Sequence, residues 1–133
     1  MLERLERRGQ LDATSLQALI EAARRIPDLI ADDEPMVPLH GDLWWGNVLW
    51  SPQGAVLIDP AAYGGHREVD LAMLSLFGGP WEAFARGYGD VWPLRAGWAR
   101  RRRAYQLYPL LVHVALFGGG YVAQAVEAAR ATG

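Results

Sequence analysis

At 133 residues, about half of them hydrophobic and a fifth charged, the chain has the length and composition of one soluble globular domain with a buried core, residues 1–133. Cysteine is absent, which excludes disulfides, thiol catalysis and cysteine-based zinc sites; no apolar run is long enough to span a bilayer and no leader-like stretch opens the chain, so a cytoplasmic location without membrane attachment is expected. The net charge of -2 offers no basic surface for nucleic acid, and the run Arg100-Arg101-Arg102-Arg103 points around most of a helix, so it is expected as a solvated or ion-paired face.

In chain order, residues 2–8 have helical composition and stop at Gly9. Asp12, Thr14 and Ser15 offer N-cap oxygens ahead of Leu16, Leu19, Ile20 and Ala23; this stripe predicts an amphipathic helix of about three turns that Pro27 breaks or restarts. Asp32-Asp33-Glu34-Pro35 reads as a polar loop, and Val37 to Leu39 as a short strand. Two apolar runs follow, Asn47-Val48-Leu49-Trp50 and Ala55-Val56-Leu57-Ile58. Ser51-Pro52-Gln53-Gly54 between them has turn chemistry, which predicts a β-hairpin with a four-residue loop. Ala61 to Arg67 reads as a loop, Asp70 to Phe77 as a helix ended by Gly78-Gly79, and Pro80 opens another helix through Tyr88. Arg95 to Phe117 is helical with a kink expected near Pro109, and Tyr121 to Ala131 is a last helix. Gly118-Gly119-Gly120 follows an apolar helix instead of a strand, so it reads as a helix stop and not as a phosphate cradle. The fold class is α+β, mostly helical, with one small hairpin.

The hairpin gathers the residues that carry chemistry. Antiparallel pairing brings Asn47, at the start of one strand, close to Asp59, past the end of the other. With His40-Gly41-Asp42 ahead of them, these residues repeat the spacing of a kinase catalytic loop, H-R-D-x-x-x-x-N, and of the metal-binding aspartate that follows it. On that spacing Asp42 is the candidate catalytic base for an attacking hydroxyl, and Asn47 and Asp59 are candidate Mg²⁺ ligands, since Mg²⁺ takes hard oxygens and few carboxylates. Plainer roles stand beside these: a turn aspartate for Asp42, a turn residue for Asn47, a strand-end cap for Asp59. His40 is expected as a hydrogen-bonded brace of the loop, since one histidine with two acids is not a zinc signature. Asp70 either caps its helix or bonds back to the backbone of the His40 loop, and Arg67 and Glu68 are expected to pair within their loop. Trp44 and Trp45 are candidates for stacking on substrate, with core packing equally open for them and for Trp50. His113, among Leu110, Leu111, Val114 and Leu116, reads as a helix-contact histidine. The chemistry implied is phosphoryl transfer from ATP-Mg²⁺ to a hydroxyl. Yet all thirteen basic residues are arginine, so the lysine that holds ATP phosphates in kinases is missing, as is any G-x-G-x-x-G loop.

The run His40-Gly41-Asp42-Leu43-Trp44 through Gly46-Asn47 resembles the H-G-D-L-W-S-G-N of the fructosamine kinase (ketosamine 3-kinase) family, within the aminoglycoside phosphotransferase and choline kinase group. Asp59-Pro60-Ala61 and the run from Tyr63 to Met73 are similar to its D-P-A and Y-G-H-R-E-x-D-L-A-M segments; Phe77-Gly78-Gly79, Tyr105 to Tyr108 and Leu116 to Gly119 are similar to its C-terminal segments. Trp45 stands where the family motif has a small residue. The resemblance implies the C-terminal lobe of a protein-kinase-like fold, with Asp42 as base, Asn47 and Asp59 on Mg²⁺, and Asp70 as a brace of the loop. It implies ATP-dependent phosphorylation of the sugar 3-hydroxyl of a ketosamine, on a small amine or a glycated protein, leading to deglycation. It further implies that the N-terminal lobe, with its phosphate loop, lysine and paired glutamate, is absent, so that the chain alone has little or no activity. On this reading a separate N-terminal lobe would complete the kinase; the alternative is a non-catalytic binding or assembly module that self-associates, as a homodimer, through apolar surface exposed at the nucleotide cleft.

Overall fold

Six helices and two separate two-stranded sheets order the residues described by this computed structural model, 1–30 and 34–133; Asp32 and Asp33, expected in a polar loop, lie outside them. Contacts cluster into two compact units, one from residues 1–30 and 99–133, the other from residues 34–98.

The first unit is helical: α1 (Leu2–Arg7), α2 (Ala13–Ile30), α5 (Trp98–Phe117), which begins at the unit boundary, and α6 (Val122–Arg130). Asp12 caps α2 by accepting the Ser15 backbone N–H at 2.7 Å. That bond, with help from the Ser15 hydroxyl and the Thr14 backbone, holds the Asp12 carboxyl below the usual carboxylate range. The helix runs 18 residues, longer than expected, because Pro27 lies inside it. A proline this near the C-terminal end forfeits one N–H bond without reversing the chain. Ser15, Leu19 and Ala22 form the buried stripe of α2, facing the small residues Ala125, Ala128 and Ala129 of α6; Ala23, expected on the stripe, is exposed. On α5 the buried stripe is Ala104, Leu107, Leu110, Leu111 and Val114, each leucine contributing about 1.5–3 kcal/mol by leaving water. Pro109 sits within α5, and His113 donates from Nδ1 to its carbonyl at 2.7 Å while contacting the rings of Phe117 and Tyr121.

The arginine run is ion-paired at Arg103, as expected, but it is not wholly a surface face. Arg101 turns inward and is 9% exposed, Arg100 donates to the Thr132 carbonyl at 3.0 Å, and Arg103 reaches Glu127 at 3.8 Å. Burial, with the charge of Arg103, pushes the Arg102 guanidinium down from its ordinary value.

The second unit holds both sheets. Strand β1 (Val37–Leu39) pairs antiparallel with β4 (Tyr63–Gly65), in a stretch expected as loop. Strand β2 (Val48–Ser51) pairs with β3 (Gly54–Leu57) in the register Val48↔Leu57 to Ser51↔Gly54, which leaves only Pro52 and Gln53 unpaired. Pro52 cannot take the positive φ of the usual hairpin turns; Gly54, at φ 125, does so instead. Helix α3 (Glu68–Leu74) begins two residues earlier than expected, and α4 (Trp81–Val91) starts after Pro80.

Candidate active site

The loop His40–Asn47 joins β1 to β2, and α3 holds its first half. Asp70, in the first turn of α3, accepts the backbone N–H of His40 at 2.6 Å and of Gly41 at 2.9 Å. Of the two roles open to Asp70 in the sequence, this is the bond back to the loop backbone. Gly41 stands at φ 82, and a Cβ there would lie 2.5 Å from the Ala61 carbonyl oxygen, so glycine is required where protein kinases carry arginine. His40 donates from Nε2 to the Ile58 carbonyl at 2.8 Å and accepts the Asp42 N–H on Nδ1 at 3.3 Å. It thus ties the loop to the chain just before Asp59.

Asn47 closes the loop. It is 7% exposed and ends a 3-10 turn, Trp45–Asn47, with its N–H on the Trp44 carbonyl at 2.9 Å. Its side-chain Nδ2 donates to the Asp42 carbonyl at 2.9 Å and to the Asp42 carboxylate at 3.3 Å. The amide nitrogen is therefore committed to Asp42 and the amide oxygen is left unengaged. Across the hairpin, Ile58 donates to the Asn47 carbonyl at 3.0 Å, so Ile58 stands opposite Asn47 and Asp59 follows one residue later. Asp59 is exposed and stands at φ 52, the one non-glycine residue at positive φ among the described residues. A left-handed backbone costs about 1–2 kcal/mol for a residue with a Cβ, and such strain collects at functional sites.

Among the described residues no group of three or more His, Cys, Asp or Glu side chains converges. One free amide oxygen and one exposed carboxylate is the donor set that suits Mg²⁺, which draws its remaining oxygens from phosphates and water.

Trp44 and Trp45 have different surroundings. The Trp44 ring lies on Gly46, where a Cβ would overlap it, and Trp44 is 41% exposed. Trp45 turns toward Gly79 and Phe84. A cavity of about 390 Å³ is lined by residues that flank the loop, among them Leu39, Leu43, Trp45, Val48 and Leu57.

Arg67 supports the site in a way the sequence did not announce. Expected to pair with Glu68 in a loop, it is instead 4% exposed and grips Glu34 with two bonds, Nε at 2.7 Å and Nη2 at 2.8 Å. It also donates to the Trp92 and Pro93 carbonyls and the Tyr88 hydroxyl, with the Trp92 ring 4.2 Å from its carbon. The bonds to Glu34 raise its pKa further above the ordinary arginine value. This clasp fixes the start of α3, three residues from Asp70.

Comparison with known proteins identifies the family. The fructosamine kinase family profile matches residues 1–132. A mouse ketosamine-3-kinase is 40% identical over 115 residues, which is 85% of this chain and 36% of the mouse protein. A candidate ketoamine kinase of Vibrio vulnificus is 51% identical over 87 residues, 65% of this chain and 30% of its own length. The crystal structure of a candidate fructosamine-3-kinase from Thermobifida fusca superposes with a TM-score of 0.89 at 48% identity, covering 98% of this chain and 46% of that one. The chain thus spans about a third of the curated relatives and under half of the solved one.

Proposed function

The chain belongs to the fructosamine kinase family, and on that premise we propose that residues 1–133 form the C-terminal, substrate- and Mg²⁺-binding lobe of a cytoplasmic ATP-dependent kinase for ketosamines. The acceptor is the sugar 3-hydroxyl of a fructosamine or ribulosamine, on a small amine or a glycated protein, and the outcome is deglycation. The hydroxyl oxygen attacks the γ-phosphorus of ATP as the bond to the β-phosphate oxygen breaks; ADP leaves and the hydroxyl proton passes to Asp42. Asn47 and Asp59 would hold Mg²⁺, which when bound neutralises the phosphate charge. His40 and Asp70 keep the loop in register, and the open face of Trp44 stacks on the sugar.

The observation that supports this reading is the division of labour at Asn47: its amide nitrogen is spent on Asp42 and its oxygen stays free, while Asp59, one residue past the hairpin ladder, is exposed and strained. With no lysine in the sequence, we infer that the ATP phosphates are held by an N-terminal lobe outside these residues. The test is ADP release and phosphorus NMR with a synthetic fructosylamine. The chain alone is expected to give no turnover above background. Supplying the N-terminal half of the Thermobifida fusca relative restores formation of the 3-phosphate, and Asp42→Asn removes it. Robust turnover by the chain alone sinks the dependence on a second lobe; turnover that survives Asp42→Asn sinks the assignment of the base.

One observation favours a second reading, a non-catalytic, self-associating module. The hairpin leaves Leu49, Trp50, Val56 and Leu57 exposed, an apolar surface on both of its faces.

A further inference from the structure

Trp45 opens the 3-10 turn that ends at Asn47, so its backbone angles set where Asn47 stands. Its side chain leaves the loop for another element. The indole lies on the backbone of Gly79, in the turn between α3 and α4, where a Cβ would overlap the indole nitrogen and the carbons beside it. It meets Phe84 of α4 edge to face, with centroids 6.1 Å apart and an interplanar angle of 88°. Phe84 in turn stacks on Tyr88 at 5.8 Å and lies against Trp81 at 5.8 Å. The indole N–H is buried with no hydrogen-bond partner, an arrangement that lowers stability. Shape, and not hydrogen bonding, therefore keeps this ring in place.

We propose that Trp45 is a positioning residue, a wedge that fixes the catalytic loop against the α3–α4 turn and so sets where the Asn47 amide oxygen stands. The metal half of this assignment rests on the reading of Asn47 and Asp59 as a Mg²⁺ pair. The family motif H-G-D-L-W-S-G-N has serine where Trp45 stands, so the wedge belongs to this chain and not to the motif. Without the ring, Asn47 keeps its bonds to Asp42, but the turn is free to pivot about them.

The test uses the full chain and two readouts by NMR: amide hydrogen exchange, and broadening of the Asn47 side-chain amide by Mn²⁺ alone. Trp45→Ser is expected to speed exchange at Asn47 and Val48 about tenfold while the amides of α2 and α6 keep their rates. It is also expected to raise the half-saturating Mn²⁺ concentration about tenfold. Trp45→Phe keeps a ring and drops the unpaired donor, so it restores both. Phe84→Ala removes the ring's edge-to-face partner and reproduces the Trp45→Ser result. Unchanged exchange at Asn47 and Val48 in Trp45→Ser and Phe84→Ala overturns the proposal. Faster exchange with an unchanged Mn²⁺ midpoint also overturns it, reducing Trp45 to a packing residue. Should Trp45→Ser not fold, Trp45→Phe and Phe84→Ala decide: slow exchange in the first with fast exchange in the second supports the wedge, and equal rates overturn it. Asp59→Asn separates the two readings. If broadening survives it, the metal pair fails, and the exchange rates alone judge how the loop is held.

Discussion

Asp70 and Asp59 sit at opposite ends of the energetic scale. Asp70 satisfies two backbone donors at once, so Asp70→Ala leaves the His40 and Gly41 N–H groups without their acceptor. We expect a loss of about 3 kcal/mol, read as a lower urea midpoint at unchanged slope. Asp59 carries the reverse burden, a side chain on a backbone that favours glycine. Asp59→Gly should raise stability by up to about 1 kcal/mol while abolishing Mn²⁺ broadening at Asn47. A variant that melts lower would remove strain from the account of this site. The bond from Asn47 to Asp42 and the hairpin that brings the chain back to Asp59 follow from features legible in the sequence, a motif spacing and a turn between two apolar runs. The anchors from outside that spacing do not. Glu34, Trp92 and Pro93 meet Arg67 from 33, 25 and 26 residues away, and no local pattern announces such a meeting.

Among the elements, those marked by local pattern or turn chemistry were readable, and the strand made by long-range pairing was not. The helices α2 and α5 and the apolar runs of β2 and β3 follow from sequence, although the buried face of α2, Ser15, Leu19 and Ala22, shares only Leu19 with the predicted stripe. Strand β4 does not: Tyr63-Gly64-Gly65 is poor in strand formers, and it is ordered by backbone pairing with β1 across 24 residues or more. Pro38, opposite Gly64, is tolerated because a two-stranded sheet is all edge. The start of α2 carries a pH prediction. The folded carboxyl of Asp12 is held below its unfolded value, so its contribution is present above the ordinary carboxylate range and is lost as pH falls through the folded pKa. Asp12→Asn keeps a cap without the charge. Melting curves from ~pH 5 to ~pH 2 should therefore show the parent losing its advantage over Asp12→Asn on acidification. A constant difference across that window would mean the cap does not depend on charge.

For the molecule as a whole, the hairpin decides how the chain behaves at concentration. Trp50 is 72% exposed and Leu57 52%, and they lie on the same hairpin face with Val48 and Ala55. Trp50→Lys with Leu57→Lys should lower the scattering mass of the chain at high concentration, whereas a clean monomer in the parent would count against any self-associating role. The Arg67 clasp has a different consequence. It joins Glu34, which begins the second unit, to Trp92 and Pro93 near that unit's end, so two distant stretches of chain meet at one guanidinium. A stretch whose ends meet in this way is a natural cassette: a short linker could close residues 34–98 into a ring, and fresh ends could be opened at Pro52–Gln53 without parting the loop from its clasp.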